Sequence, residues 1–143
     1  MKVTFEFEGL KELQTKLESL ASNYEIGKTN KKIFQRATDY TKPRMQSHMA
    51  RSADNSKSGK KGYRPPGHAA DNIPQKVTTK AGEVGWTLLG DAENWFYMKF
   101  VEWGTSLQPP QDFIENTIAE CHGEWDTIAD QEYQKLLNEK LGG

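Results

Sequence analysis

A chain of 143 residues, 35% hydrophobic and 27% charged, has room for one domain with a modest core and a large solvated surface. No run of eighteen apolar residues is present, which excludes a membrane-spanning helix, and a single cysteine, Cys121, excludes an internal disulfide framework and suits a reducing compartment. The formal charge of −1 conceals a division, with three Lys/Arg against five Asp/Glu in residues 1–27, thirteen against three in 28–80 and three against twelve in 81–143. Three consequences are open: the acidic end of one copy meets the basic middle of another, the basic segment meets phosphate, or the two neutralise each other within one chain.

In chain order, Val3, Phe5 and Phe7 alternate with polar residues, the period of a short half-buried strand, and lack the apolar block of a signal peptide. After Gly9, Leu10, Leu13, Leu17 and Leu20 stripe one face of a helix expected to end near Ser22-Asn23, with Gly27 marking the turn to the next element. A second helix is expected from about Thr29 to Ala50, with Ile33, Phe34, Ala37, Tyr40, Thr41, Met45 and Met49 as its stripe and a kink or break at Pro43. Residues 51–72 show no apolar periodicity and are rich in Ser, Gly, Lys and Pro, the composition of a long mobile basic loop. Gln75–Lys80 and Glu83–Leu89, separated by Ala81-Gly82, predict a β-hairpin. The most aromatic stretch, Trp95–Trp103, closes on Gly104-Thr105. Beyond Pro109-Pro110 and the helix-start signal of Gln111-Asp112, Phe113, Ile114, Ile118, Cys121, Trp125 and Ile128 predict a last helix, with Leu136 and Leu137 either extending it or forming a short one of their own. The pattern predicts a single α+β domain over residues 1–143: a small antiparallel β-sheet packed against two or three α-helices, with the mobile basic loop at 51–72.

The chain carries little that spells catalysis. His48, His68 and His122 stand at no metal-ligand spacing with one another or with a cysteine, Cys121 lies on an apolar stripe and reads as core, and nucleophile-elbow, phosphate-loop and zinc-protease motifs are absent from the sequence. Glu102 is the one carboxylate embedded among aromatics, and a structural role in the following turn outweighs a catalytic one. No cofactor or metal is expected. In the loop, Lys57, Lys60, Lys61 and Arg64 with Tyr63 form a candidate arm that grips phosphates non-specifically or docks on a neighbouring subunit. Six large rings between residues 86 and 103 are many for one small domain to hide. Trp86, Trp95, Tyr97 and Phe100 are therefore candidate interface residues, with the rings divided between core and contact.

The opening VTFEFEGLKELQTKLESL resembles the start of a phage family described as lambdoid gene-ten-product-like minor tail components, which begins with a strand, a glycine and a leucine-striped helix. Phe96 to Thr105 is similar to that family's aromatic stretch ending in Val-Glu-aromatic-Gly-Thr, here Val101, Glu102, Trp103, Gly104 and Thr105, and Pro110 and Phe113 match its proline turn and Phe-led helix. The middle departs from the pattern. Where the family carries a short Gly-x-Leu-Arg-x-Ser-Ile segment, Lys57-Ser58-Gly59 runs into a longer basic, proline-containing loop. The resemblance implies a non-enzymatic structural protein of a bacteriophage or prophage, a head–tail joining or tail-completion component. Such a component is made in the host cytoplasm and ends in the virion neck or tail. The implied partners are other copies in a ring, a hexamer by the symmetry usual in tails, and connector, neck or tail-tube proteins. No membrane is involved. Within the motif, Glu102 is expected to accept hydrogen bonds from the Gly104-Thr105 turn, and Gly104 to hold a positive φ. The alternative function is a nucleic-acid-binding module that uses loop 51–72; a small hydrolase built on Glu102 and a histidine is the third.

Overall fold

The structure, a computed structural model, describes residues 2–5, 10–51, 67–86, 95 and 97–142. Strand β1 (Lys2–Thr4) opens the chain and helix α1 (Lys11–Leu20) follows. Leu17 is fully buried and Leu10 nearly so, whereas Leu20, at the end of the same stripe, reaches solvent.

Helix α2 (Asn23–His48) starts six residues earlier than the periodicity predicts. Ser22 caps it in a capping box: the Ser22 hydroxyl accepts the Glu25 N–H at 3.2 Å, and the Glu25 carboxylate accepts the Ser22 N–H at 3.1 Å. Gly27 therefore lies inside the helix rather than in a turn. The two reciprocal bonds at the first turn offset the propensity loss of one glycine. The helix also runs through Pro43 without a break.

Of the segment expected to be a mobile loop, residues 67–72 are ordered. Ala69–Asn72 form a 3-10 turn capped by His68, whose Nδ1 accepts the Ala70 N–H at 3.0 Å, and Ala69 and Ala70 are buried. Arg51 grips Asp71 through two bonds of 2.8 and 2.6 Å, which ties the end of α2 to this turn. Lys57, Lys60, Lys61, Tyr63 and Arg64 lie outside the described residues.

β2 (Gln75–Val77) and β3 (Gly82–Gly85) form the predicted hairpin, and β1 adds to the other edge of β3, giving an antiparallel sheet in the order β1-β3-β2. Val3 opposes Val84, and both are fully buried. The sheet packs on α2, where Gly82 lies so close to Phe34 that an added Cβ would come within 2.6 Å of its side chain.

Two more helices complete the fold: α3 (Met98–Trp103) and α4 (Phe113–Leu141). Leu136 and Leu137 belong to α4, whose length lets it run antiparallel along all of α2. Five side-chain pairs fix that register: Glu25 with Lys140, Glu132 with Arg36 and with Lys32, Thr41 with Trp125, and His48 with Glu120. The buried Glu132 carboxylate receives Arg36 at 2.8 Å and Lys32 at 3.5 Å. The basic middle and the acidic end of the chain thus neutralise each other partly within one molecule. Lys140, together with the Ser22 N–H, also holds the Glu25 carboxyl below the usual carboxylate range.

One core cluster lies under the sheet around Val84, Trp86, Phe113, Cys121 and Trp125, and a second lies where α1 covers the far half of α4 around Leu17, Ile33, Ile128 and Tyr133. Ile118, expected on the buried stripe, is partly exposed. Thr117 takes the fully buried position instead, its hydroxyl donating to the Phe113 carbonyl at 2.6 Å. Within the first cluster, the buried Trp125 indole N–H donates to Thr41 Oγ1 at 2.7 Å, and that hydroxyl donates to the Ala37 carbonyl at 2.7 Å. Trp125→Phe leaves the Thr41 oxygen without its donor and removes ring volume, an expected loss of about 1–3 kcal/mol. Urea unfolding with an unchanged m-value measures it, and an unchanged midpoint would remove the link between the helices from the account.

Candidate functional site

The Val101–Thr105 motif sits at the end of the molecule where the C-terminus of α2 meets the N-terminus of α4. In α3, Met98 and Glu102 face inward and are buried, while Phe100 and Trp103, three residues apart, share the outer face. Beyond Trp103 the chain reverses. Gly104 has φ +79° and ψ 175°, so the positive φ expected there is present, and its N–H donates to the Phe100 carbonyl at 2.8 Å. Thr105 and Gln108 exchange backbone bonds of 2.8 and 3.3 Å, which turns the chain tightly and leaves Leu107 at the tip, 95% exposed.

Pro109-Pro110 carry the chain back to α3, where the Gln111 N–H donates to the Val101 carbonyl at 2.9 Å and the Asp112 N–H to the Glu102 carbonyl at 3.1 Å. The segment 104–110 is therefore a hairpin-like projection with its feet tied to the motif's own backbone.

Glu102 acts differently from its expected role. Its carboxylate accepts the Ile114 N–H at 2.8 Å and the Glu115 N–H at 3.2 Å, capping α4 rather than bracing the Gly104-Thr105 turn. Asp112 occupies the N-cap position of α4, but its left-handed backbone (φ 51°, ψ 35°) comes with no side-chain cap bond. A residue ten positions upstream supplies the cap because the projection brings the start of α4 back over α3. The negative carboxylate at a helix N-terminus also meets the positive end of its dipole. Phe113, the first residue of α4, is fully buried and packs edge-on against Trp86 at 6.3 Å between ring centroids.

The candidate interface rings separate into two groups. Trp86 and Trp95 are 1% and 4% exposed and belong to the core, which corrects their assignment to a contact surface. Both rings belong to the cluster that also holds Val84 and Phe113. Tyr97 is half-buried, 5.9 Å from Trp95, and Phe100 is exposed. The exposed set is Phe100, Trp103 (68% exposed) and Leu107. Leu107 was not singled out from sequence; the available signal was one large apolar residue inside the polar turn Thr105-Ser106-Leu107-Gln108. Behind this corner is a cavity of about 370 Å3 between Met49, Ala69, Tyr97, Met98 and Val101, with Arg51 and Gln111 at polar positions.

The chemistry-bearing side chains do not converge. His48 is bonded to Glu120 at 2.7 Å, His68 is engaged as the cap described above, and His122 Nδ1 lies 3.1 Å from the Ala119 carbonyl of its own helix. Cys121 is fully buried, and burial pushes its thiol up from the ordinary value. Among the described residues no group of three or more His, Cys, Asp or Glu side chains is placed to hold a metal ion, and no helix is long and apolar enough to cross a membrane. Both oxygens of Glu102 are engaged by backbone N–H groups. The arrangement presents an apolar corner on a braced frame. Compared with protein-family models, with curated proteins and with solved structures, the chain matches none.

Proposed function

We propose that the chain is a structural protein of a bacteriophage or prophage neck or tail, a head–tail joining or tail-completion component that works by assembling with copies of itself in a ring and with connector or tail-tube proteins. The observation that carries this reading is the corner of Phe100, Trp103 and Leu107. It lies in the same segment that bears the family resemblance, and its exposed apolar side chains stand on a frame braced by Gly104 and Glu102. A preorganised aromatic anchor loses little conformational entropy on docking, and aromatic anchors are enriched where interfaces concentrate their energy. The alternative of nucleic-acid binding rests on Lys57–Arg64, outside the described residues.

Light scattering coupled to size exclusion, at low and physiological salt and with and without DNA, tests the reading. The expected result is a concentration-dependent mass of several copies that ignores DNA. The double substitution Trp103→Asp with Leu107→Asp, both at exposed positions, is expected to return the protein to monomer with its melting temperature within a few degrees of the parent. A mass shift that requires DNA and vanishes with salt would replace this function by phosphate binding.

A further inference from the structure

The α3 corner is not the only apolar surface. At the opposite end of the molecule, where the junction of α1 and α2 meets the C-terminus of α4, Tyr24 is 77% exposed, Leu141 60% and Leu20 40%. The Glu25–Lys140 ion pair brings the helix ends that carry them together. The 26 residues of α2 separate the two ends by about 39 Å at 1.5 Å per residue. We propose that copies meet end to end, the Phe100–Trp103–Leu107 corner of one against the Leu20–Tyr24–Leu141 end of the next. This inference rests on the assembly reading and names its contact.

Three arguments favour a second copy as the occupant. The first is area. Taking roughly 150–250 Å2 for a whole aromatic side chain, the exposed fractions of Trp103 and Phe100 offer about 250 Å2, and Leu107 raises the corner to about 400 Å2. The opposite end offers about 300 Å2 on the same basis. A standard interface buries about 800 Å2 per partner, a little over half of it apolar, so the corner nearly supplies the apolar share of a stable contact and the opposite end about two-thirds of it.

The second is shape. Leu107 stands at the tip of a projection, and beside Tyr24 runs a groove of about 300 Å3 with Leu136 in its lining. The third is charge. That groove is lined by three lysines and three glutamates, Lys28, Lys32 and Lys135 against Glu25, Glu132 and Glu139, which balance and so present no net field to attract a polyanion such as nucleic acid. Because the two surfaces differ and lie at opposite ends, the contact is heterologous. A heterologous contact repeats from copy to copy and closes into a ring when the rotation permits, whereas corner-to-corner pairing stops at a dimer.

The test introduces cysteines beside the anchors without removing them. Ser106→Cys lies on the projection and Lys28→Cys one turn beyond Tyr24, both exposed, while the native Cys121 is buried and out of reach of a short bismaleimide. An equal mixture of the two single variants is expected to give cross-linked dimer at least tenfold over either variant alone, and a chain carrying both substitutions to give a covalent ladder. Efficient cross-linking of Ser106→Cys with itself would overturn the inference in favour of corner-to-corner pairing. Light scattering that shows wild-type assemblies, with no cross-link between the two positions, would overturn the end-to-end contact and leave the assembly reading standing. A wild-type chain that stays monomeric up to millimolar concentration would overturn both.

Discussion

Glu102→Ala is expected to destabilise the fold by about 2–4 kcal/mol, more than an ordinary exposed N-cap, because two partly buried backbone N–H groups lose a charged acceptor at once. The carboxylate is 4% exposed and its two bonds to the Ile114 and Glu115 N–H groups are the connection between α3 and the first turn of α4. For a domain of this size the loss corresponds to a drop of roughly 10 °C in melting temperature. Glu102→Gln keeps one carbonyl acceptor but turns an NH2 donor toward an N–H group, and is expected to lose about half as much. Urea unfolding of both variants checks the ranking. A catalytic carboxylate would behave in the opposite way, losing an activity on conversion to Gln while stability held, so equal stability of parent and Glu102→Gln would sink the capping role.

Gly104→Val is expected to cost about 3–5 kcal/mol and to abolish assembly together with stability. At φ +79° and ψ 175° the residue occupies a region essentially restricted to glycine, worth on the order of 1–3 kcal/mol of strain for any other side chain. Space adds a second penalty. A Cβ at this position would lie 2.7 Å from the Pro110 nitrogen and 2.9 Å from the Gln108 carbonyl oxygen, both backbone atoms that cannot rotate away. Gly104→Ala already meets both penalties, so a thermal melt is expected to place it close to the Val variant rather than to the parent. A melt unchanged by either substitution would mean that the projection is not held as described. The consequence for assembly follows from geometry, since Trp103 and Leu107 stand on the two sides of this residue and lose their common frame when it moves.

These two residues show where the sequence is informative and where it falls silent. Gly104 was readable because a glycine directly after an aromatic helix and before a polar turn has a local, one-residue reason to exist. The role of Glu102 was only half readable. That it is structural follows from its aromatic surroundings, but its partners are decided by a reversal of the chain over residues 104–112, which no local pattern encodes. The α2 start is a different case. Ser22 and Glu25 spell a capping box at the required spacing, while Gly27 two residues later carries a competing turn signal. The signal was local and present.

By itself the sequence determined the α+β class, the β2–β3 hairpin and the existence of α1, α2 and α4, because periods of two and 3.6 residues are written into neighbouring positions and survive without knowledge of the rest of the chain. Only the tertiary structure decided how the rings of residues 86–103 divide, since burial depends on which faces the rest of the chain covers. Trp86 and Trp95 went under the sheet, and Phe100 and Trp103 went out. It decided likewise that the opposed charges of the middle and the end partly neutralise within one chain, because antiparallel packing of α2 on α4 sets Arg36 and Lys32 against Glu132. Charge counts are a property of composition, whereas pairing is a property of register, and register exists only once two helices have found each other through Trp125, Thr41 and the apolar faces between them.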